Sequence, residues 1–167
     1  MAVSEFDAQM HKMIMRYPEQ VSLVQMNFLD THDVPRFLSY CEGDRRRLRL
    51  AYFYLFMGYG VPSVFYGDEY YIEGETENAY RSPMPWGSED NCYDILREYA
   101  QIRREHSAIR NGTYRTVLCQ DEKGLYLFLR ENEQEKILIA LNNSDEEQEI
   151  SDKAWRIPPM QGDIRIL

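Results

Sequence analysis

Residues 21–37 read VSLVQMNFLDTHDVPRF, nine mostly apolar positions that break abruptly into a polar turn. Such a run, Val21 to Leu29, is expected of a strand buried on both faces of a parallel sheet. A polar loop from Asp30 to Glu42 follows, and Gly43-Asp44 opens a helix that begins Arg45-Arg46-Arg47 and turns apolar from Leu50 to Met57. The arginines read as a solvated face beside acidic neighbours rather than as a binding patch. Gly58 and Gly60 end that helix, and Val61 to Tyr66 reads as a second, shorter buried strand before Gly67-Asp68-Glu69. Upstream, Ser4 and Asp7 have capping-box spacing, and Phe6, Met10, Met13, Ile14 and Tyr17 form a helical stripe that Pro18 ends. Residues 4–66 therefore predict helix–strand–helix–strand, the repeat of a βα-barrel or an open α/β sheet.

Further along, residues 70–91 are a long polar loop, of the kind that is usually functional or disordered. A helix is expected from Cys92 to His106, closed by Asn111-Gly112. The period then changes to two. Leu125–Leu129 and Ile137–Leu141 predict strands separated by a charged turn, Arg130 to Lys136, with weaker strand signals at 114–118, 148–151 and 163–167. The expected organisation is an α/β part over residues 1–112 and a small antiparallel β-domain over residues 113–167.

Composition narrows the function classes. With 28 acidic and 19 basic side chains the net charge is −9, which argues against a general nucleic-acid binder. The three cysteines have no metal-ligand spacing and suggest free thiols in a reducing compartment. The first residues have neither a basic nor an apolar signal region, and no apolar run is long enough to span a membrane, so the expected location is cytoplasmic, with no membrane partner. Thirteen tyrosines suit sugar stacking, although composition alone favours the plainer reading, a tyrosine-rich core and rim.

Three segments carry more. They are Asn27-Phe28-Leu29-Asp30-Thr31-His32-Asp33-Val34-Pro35-Arg36-Phe37, then Gly60-Val61-Pro62-Ser63-Val64-Phe65-Tyr66-Gly67-Asp68-Glu69, then Arg81-Ser82-Pro83-Met84-Pro85-Trp86. In this order, with an arginine-rich helix between the first two, they resemble the C-terminal third of the α-amylase family, above all its neopullulanase, cyclomaltodextrinase and maltogenic amylase branch. The resemblance implies a partial TIM barrel, strands seven and eight with their helices, followed by a small antiparallel β-sandwich. It also implies a retaining hydrolase of α-1,4 and α-1,6 glucosidic bonds, with an α-glucan or maltooligosaccharide as substrate.

Retaining glycosidases use two carboxyl groups, and hydrogen bonds to ring hydroxyls that tighten in an oxocarbenium-like transition state. By the family's pattern Asp33 is the third carboxylate that makes such bonds, and His32 its helper. Arg81, and Glu77 four residues before it, are the implied sugar contacts. Thr31 stands where the family often has Asn or Ser, and Asn78 where it usually has proline. Arg36 is expected to pair with a nearby carboxylate, and Asp68 and Glu69 to anchor a loop rather than act as a catalytic pair.

The family's nucleophile and general acid lie on strands four and five, upstream of everything here, so the isolated chain is expected to be inactive. The alternative is a non-catalytic carbohydrate-binding or interaction module. No cofactor or metal is implied by these residues; calcium in some relatives belongs to other regions. Unpaired barrel edges imply a homo-oligomer or pairing with a missing N-terminal barrel segment.

Overall fold

The computed structural model describes residues 1–150 and 155–167. Helix α1 (Val3–Ile14) begins at Ala2, which offers no side-chain cap. The capping box expected from Ser4 and Asp7 does not form. Instead the Ser4 backbone N–H and hydroxyl both donate to the Asp121 carboxylate, at 2.8 and 2.6 Å, while Asp7 accepts from the Tyr126 hydroxyl at 2.7 Å. A helix start needs acceptors for its free N–H groups and favours negative charge, and a distant aspartate meets both needs.

The expected strand Val21–Leu29 divides in two. Pro18 supplies a helix-compatible φ of −52° and α2 (Glu19–Val24) follows, with the buried Ser22 hydroxyl donating to the Ile14 carbonyl. Only β1 (Met26–Phe28) is strand, paired in parallel with β2 (Val61–Ser63), so the second expected strand is also shorter than its apolar run. Nor are these strands buried on both faces: Met26 is 60% exposed and Phe28 47%. Each of the two strands has one neighbour among the described residues.

Between β1 and β2 lie α3 (Phe37–Tyr40) and α4 (Arg45–Met57). Asp44 caps α4 by accepting from the Arg46 N–H at 2.9 Å. The three arginines are exposed and ion-paired, Arg45 with Asp90 and Arg46 with Asp44 and Asp145, as a solvated face requires. The long loop after β2 is not structureless. It contains a 3₁₀ turn at Asp68–Tyr70 and α5 (Glu77–Tyr80). Then come α6 (Tyr93–Glu105) and α7 (Ser107–Asn111).

The rest is β. Strands β3 (Thr113–Gln120), β4 (Leu125–Glu131), β5 (Lys136–Asn142) and β8 (Gln161–Ile166) make an antiparallel sheet in the order β3-β4-β5-β8. A hairpin of β6 (Gln148–Ile150) and β7 (Trp155–Ile157) covers its outer face. Strand β7 has no counterpart among the expected strands, and Ser151 of the expected 148–151 segment lies outside the described residues. Arg130, expected in a turn, is a buried residue of β4.

One face of the sheet, with Tyr126, Phe128, Ile137, Ile139 and Leu141, joins Leu48, Phe53, Phe56, Leu96 and Ile109 in a single core. That core runs across residue 112 without interruption. The other face packs Leu125, Leu127, Leu138 and Ala140 on Trp155 and Ile157. Burial on both faces explains why β4 and β5 read as unbroken apolar runs.

Candidate active site

Parallel pairing aligns β1 with β2, Met26 opposite Val61 and Phe28 opposite Ser63, so the loops leaving both strands emerge on one side. The loop after β1 carries Asp30 and residues 31–36; the loop after β2 carries Asp68 and continues to α5. Arg36 ties them together. Its side chain is 0% exposed and donates from Nη1 to the Tyr66 carbonyl at 2.7 Å and to Asp68 Oδ1 at 3.1 Å, and from Nε to the Tyr80 carbonyl at 3.1 Å. The guanidinium also lies over the rings of Phe65 and Tyr66, 4.5 and 4.9 Å from their centroids. Tyr52 of α4 donates its hydroxyl to Asp68 Oδ2. Arg36 thus has the carboxylate partner the sequence implied, and Asp68 anchors a loop. Glu69 does so too, accepting from the Gly67 N–H at 2.6 Å. Gly67 has φ +91°, a conformation that suits glycine at the turn into this anchor.

Above this buried frame the four implied site residues meet. Asp33 sits in a short turn whose N–H donates to Thr31 Oγ1 at 3.2 Å. Its Oδ2 is 3.2 Å from His32 Nε2, and its Oδ1 is 3.4 Å from Arg81 Nη2. Arg81 Nε donates to the His32 carbonyl at 2.9 Å, and Nη1 pairs with Glu77 Oε1 at 2.8 Å, one helical turn back. All four are exposed, with His32 and Asp33 side chains at 66%, Glu77 at 64% and Arg81 at 45%. Trp86, in the same loop as Arg81, is 79% exposed.

Chemically this is an acceptor-rich, solvent-facing cluster in which one guanidinium holds two carboxylates. Vicinal hydroxyls could donate to Asp33 while the imidazole and guanidinium keep its oxygens oriented. A nucleophile–acid pair is a different arrangement, because its two carboxyls flank a bond and one of them must hold a proton. Among the described residues, no group of three or more His, Cys, Asp and Glu side chains converges as a metal site requires. An apolar cavity of about 550 Å³, lined by Phe6, Leu29, Phe37, Leu50, Tyr54 and Met160 among others, contains none of the four site residues.

Sequence reasoning missed Asp30 and Tyr52. Asp30 is 2% exposed and accepts the Phe37 N–H on Oδ1 at 2.6 Å, and Tyr52 is 0% exposed. The available signal was a matched pattern, an aspartate shortly after each of two apolar runs that pair in parallel. Tyr52 carried no signal, because a tyrosine on an apolar helix face reads as core.

The family model described as Alpha amylase, catalytic domain, matches residues 1–148. The chain is 32% identical over 142 residues to a cyclomaltodextrinase of a Bacillus sp, covering 83% of this chain and 25% of that protein. It is 31% identical over 148 residues to neopullulanase 2 of Thermoactinomyces vulgaris, covering 87% and 25%. Among solved structures, one cyclomaltodextrinase superposes with a TM-score of 0.80 at 29% identity, over 92% of this chain and 28% of that one. The cyclic α-maltosyl-(1→6)-maltose hydrolase of Arthrobacter globiformis reaches a TM-score of 0.89 over 100% of this chain and 40% of its own, at 23% identity, a likeness of fold alone. This chain spans about a quarter of the length of the curated relatives it matches. On the match over residues 1–148 and a fold shared with solved relatives, the chain belongs to the α-amylase family of glycoside hydrolases.

Proposed function

We propose that this chain supplies the transition-state-stabilising corner of a retaining α-glucan hydrolase acting on α-1,4 and α-1,6 glucosidic bonds. In this reading residues 1–112 are the last two βα units of a (β/α)₈ barrel, with β1 and β2 as strands seven and eight, and residues 113–167 are the β-domain that follows. Asp33 accepts hydrogen bonds from two neighbouring sugar hydroxyls, tightening as the ring flattens toward the oxocarbenium ion. His32 orients Asp33, and Arg81 and Glu77 contact the same sugar. The nucleophile and general acid come from outside residues 1–167, so the chain alone does not cleave.

The observation that carries this reading is the joining of Asp33, His32, Arg81 and Glu77 in one exposed cluster at the ends of two parallel strands, where barrel enzymes build their sites. The names of the relatives, cyclomaltodextrinase and neopullulanase, supply the substrate class. An intracellular maltogenic amylase of Bacillus subtilis, 28% identical over 142 residues, supports a cytoplasmic working site.

The test replaces the matching segment of the Bacillus cyclomaltodextrinase with this chain and follows release of nitrophenol from a nitrophenyl maltoside. The chimaera is expected to turn over, and Asp33→Ala within it to lose roughly a hundredfold or more in kcat, the order seen when one transition-state contact is removed. The unfused chain is expected to show no turnover. Equal rates for the chimaera and its Asp33→Ala variant would sink the proposal. Saccharide binding by the unfused chain, with an inactive chimaera, would turn it toward a binding module.

A further inference from the structure

Helices α1 and α4 and the four-stranded sheet enclose the apolar cavity of about 550 Å³ that stands apart from the four site residues. It has the size and the mostly apolar, aromatic wall of a ligand pocket. Protein interiors pack with few spaces larger than a water molecule, so a cavity of this volume is more than a packing defect. Two hydroxyls of the wall are engaged elsewhere. Tyr54 Oη lies 3.4 Å from Tyr114 Oη, and Tyr126 donates to Asp7 at 2.7 Å. Burial pushes the Cys41 thiol up to about 11, so it stays protonated and serves as a small apolar group. A space walled in this way takes apolar matter rather than water.

The opening is different. Arg47 and Asn143 belong to the lining and are both exposed, and Arg47 is the one charged side chain of that lining among the described residues. Its contact with Asp44 is long, 3.8 Å from Nε to Oδ2. Asp44 is held instead by Arg46, whose Nε and Nη2 donate to it at 3.1 and 2.8 Å. The Arg47 guanidinium therefore offers its fork of donors to a carboxylate at the mouth of an apolar space.

Part of the wall belongs to the active-site loop. Leu29 and Phe37 line the cavity, and they flank the loop that carries His32 and Asp33. The base of that loop is closed beside them, where the Phe37 N–H donates to Asp30 Oδ1 at 2.6 Å. A molecule packed against Leu29 and Phe37 bears on both ends of the loop at once.

We propose that this cavity binds an unbranched aliphatic carboxylate, with its chain against Leu29, Phe37 and Leu50 and its carboxylate on Arg47, and that the bound acid fixes the base of the Asp33 loop. The apolar wall selects the tail and the guanidinium selects the head group. What a steadier Asp33 loop does for catalysis rests on the function proposed above; the binding does not.

The experiment titrates the full chain and its Arg47→Gln and Ala51→Leu variants by calorimetry with sodium hexanoate, octanoate and decanoate, and with decanol as the uncharged control. Ala51 lines the cavity from α4, and leucine there suits the helix while filling the space. Wild-type affinity is expected to rise about fourfold per added methylene, the effect of burying each CH₂ in full. Arg47→Gln is expected to lose about fivefold for decanoate, the upper range for an exposed ion pair, and nothing for decanol. Ala51→Leu, with its circular dichroism unchanged, is expected to bind neither. The His32 ring signals in NMR spectra are expected to move when decanoate is added to the wild type and to stay in place in Ala51→Leu.

Absence of saturable binding, affinity independent of chain length, or equal binding by Ala51→Leu would overturn the site. Equal decanoate affinity in wild type and Arg47→Gln would remove the head-group contact and with it the choice of a carboxylate. Decanoate affinity that falls as protein concentration rises would assign the cavity to a second copy of the chain instead. Binding that leaves the wild-type His32 signals unmoved would break the link to the Asp33 loop. None of these measurements depends on turnover, so they stand whether or not the chimaera is active.

Discussion

Two buried arginines show how little a side chain's type says about its surroundings. Arg36 stood beside a recognisable motif, and its carboxylate partner could be anticipated. Arg130 stood among charged residues between two apolar runs and read as part of a turn. It is instead 0% exposed, donating to the carbonyls of Met57, Gly58, Gly112 and Thr113, with its guanidinium 5.1 Å from the Tyr59 ring centroid. Burial, and then the nearby Arg103, hold it down to about 10, still charged at neutral pH. Carbonyl dipoles at the end of α4 and the start of β3 take the place of an anion. Arg130→Met keeps much of the volume and strands these acceptors. The expected cost is about 3–5 kcal/mol, the range for breaking a buried charged contact. At roughly 2–4 °C per kcal/mol for a chain of this size, thermal unfolding should drop by about 10 °C. A change under about 2 °C would mean that water replaces the guanidinium freely.

At the scale of elements, helix starts are the least legible feature, because their acceptors come from anywhere in the chain. Asp121 serves α1 in place of the capping box. Glu135, just before β5, serves α7 by accepting from the Ala108 N–H at 2.9 Å, Ser107 Oγ at 3.2 Å and His106 Nδ1 at 2.8 Å. Burial works against the charge of Glu135, but the Ala108, His106 and Ser107 hydrogen bonds outweigh it and hold the carboxyl below its usual range. A lowered folded value means that this stability is present above about pH 4.3, the unfolded value, and is lost as pH falls through the folded one. Glu135→Ala should therefore cost about 1 kcal/mol at pH 7, as for loss of a cap, and less at pH 3. Urea denaturation at the two pH values checks this; an equal cost at both would mean that the charge contributes nothing. Helices α4 and α6, by contrast, were readable within a residue or so, since an apolar stripe between Asp44 and Gly58 carries its own limits.

At the scale of the molecule, the helices and the four-stranded sheet share one core, yet the β1–β2 pair remains open. Val24, Met26, Phe28 and Val61 are exposed beside strand edges that have no partner among the described residues. Exposed apolar edges of this kind invite pairing with another chain. We expect the chain to self-associate in a concentration-dependent way, and Met26→Lys on β1 to weaken that association while leaving the circular dichroism unchanged. Sedimentation velocity over a hundredfold concentration range is the check, and a monomer throughout would count against it.

The order of three segments, the change of period from helical to two near residue 113, and, to within a residue, the boundaries of α4, α6 and β5 were all present in the sequence, whereas the end of β4 was not. They depend on residues within a few positions of one another, where periodicity and chain stiffness act. The family and the grouping of His32, Asp33, Glu77 and Arg81 followed from that order. What tertiary structure alone decided depends on neighbours far along the chain. It decided that the mostly apolar run at 21–29 would divide between the end of a short helix and a three-residue strand, that Arg130 would be buried, and that Asp68 would meet Arg36 and Tyr52 in the interior. Burial and charge are properties of a place, and the place exists only once distant segments have met.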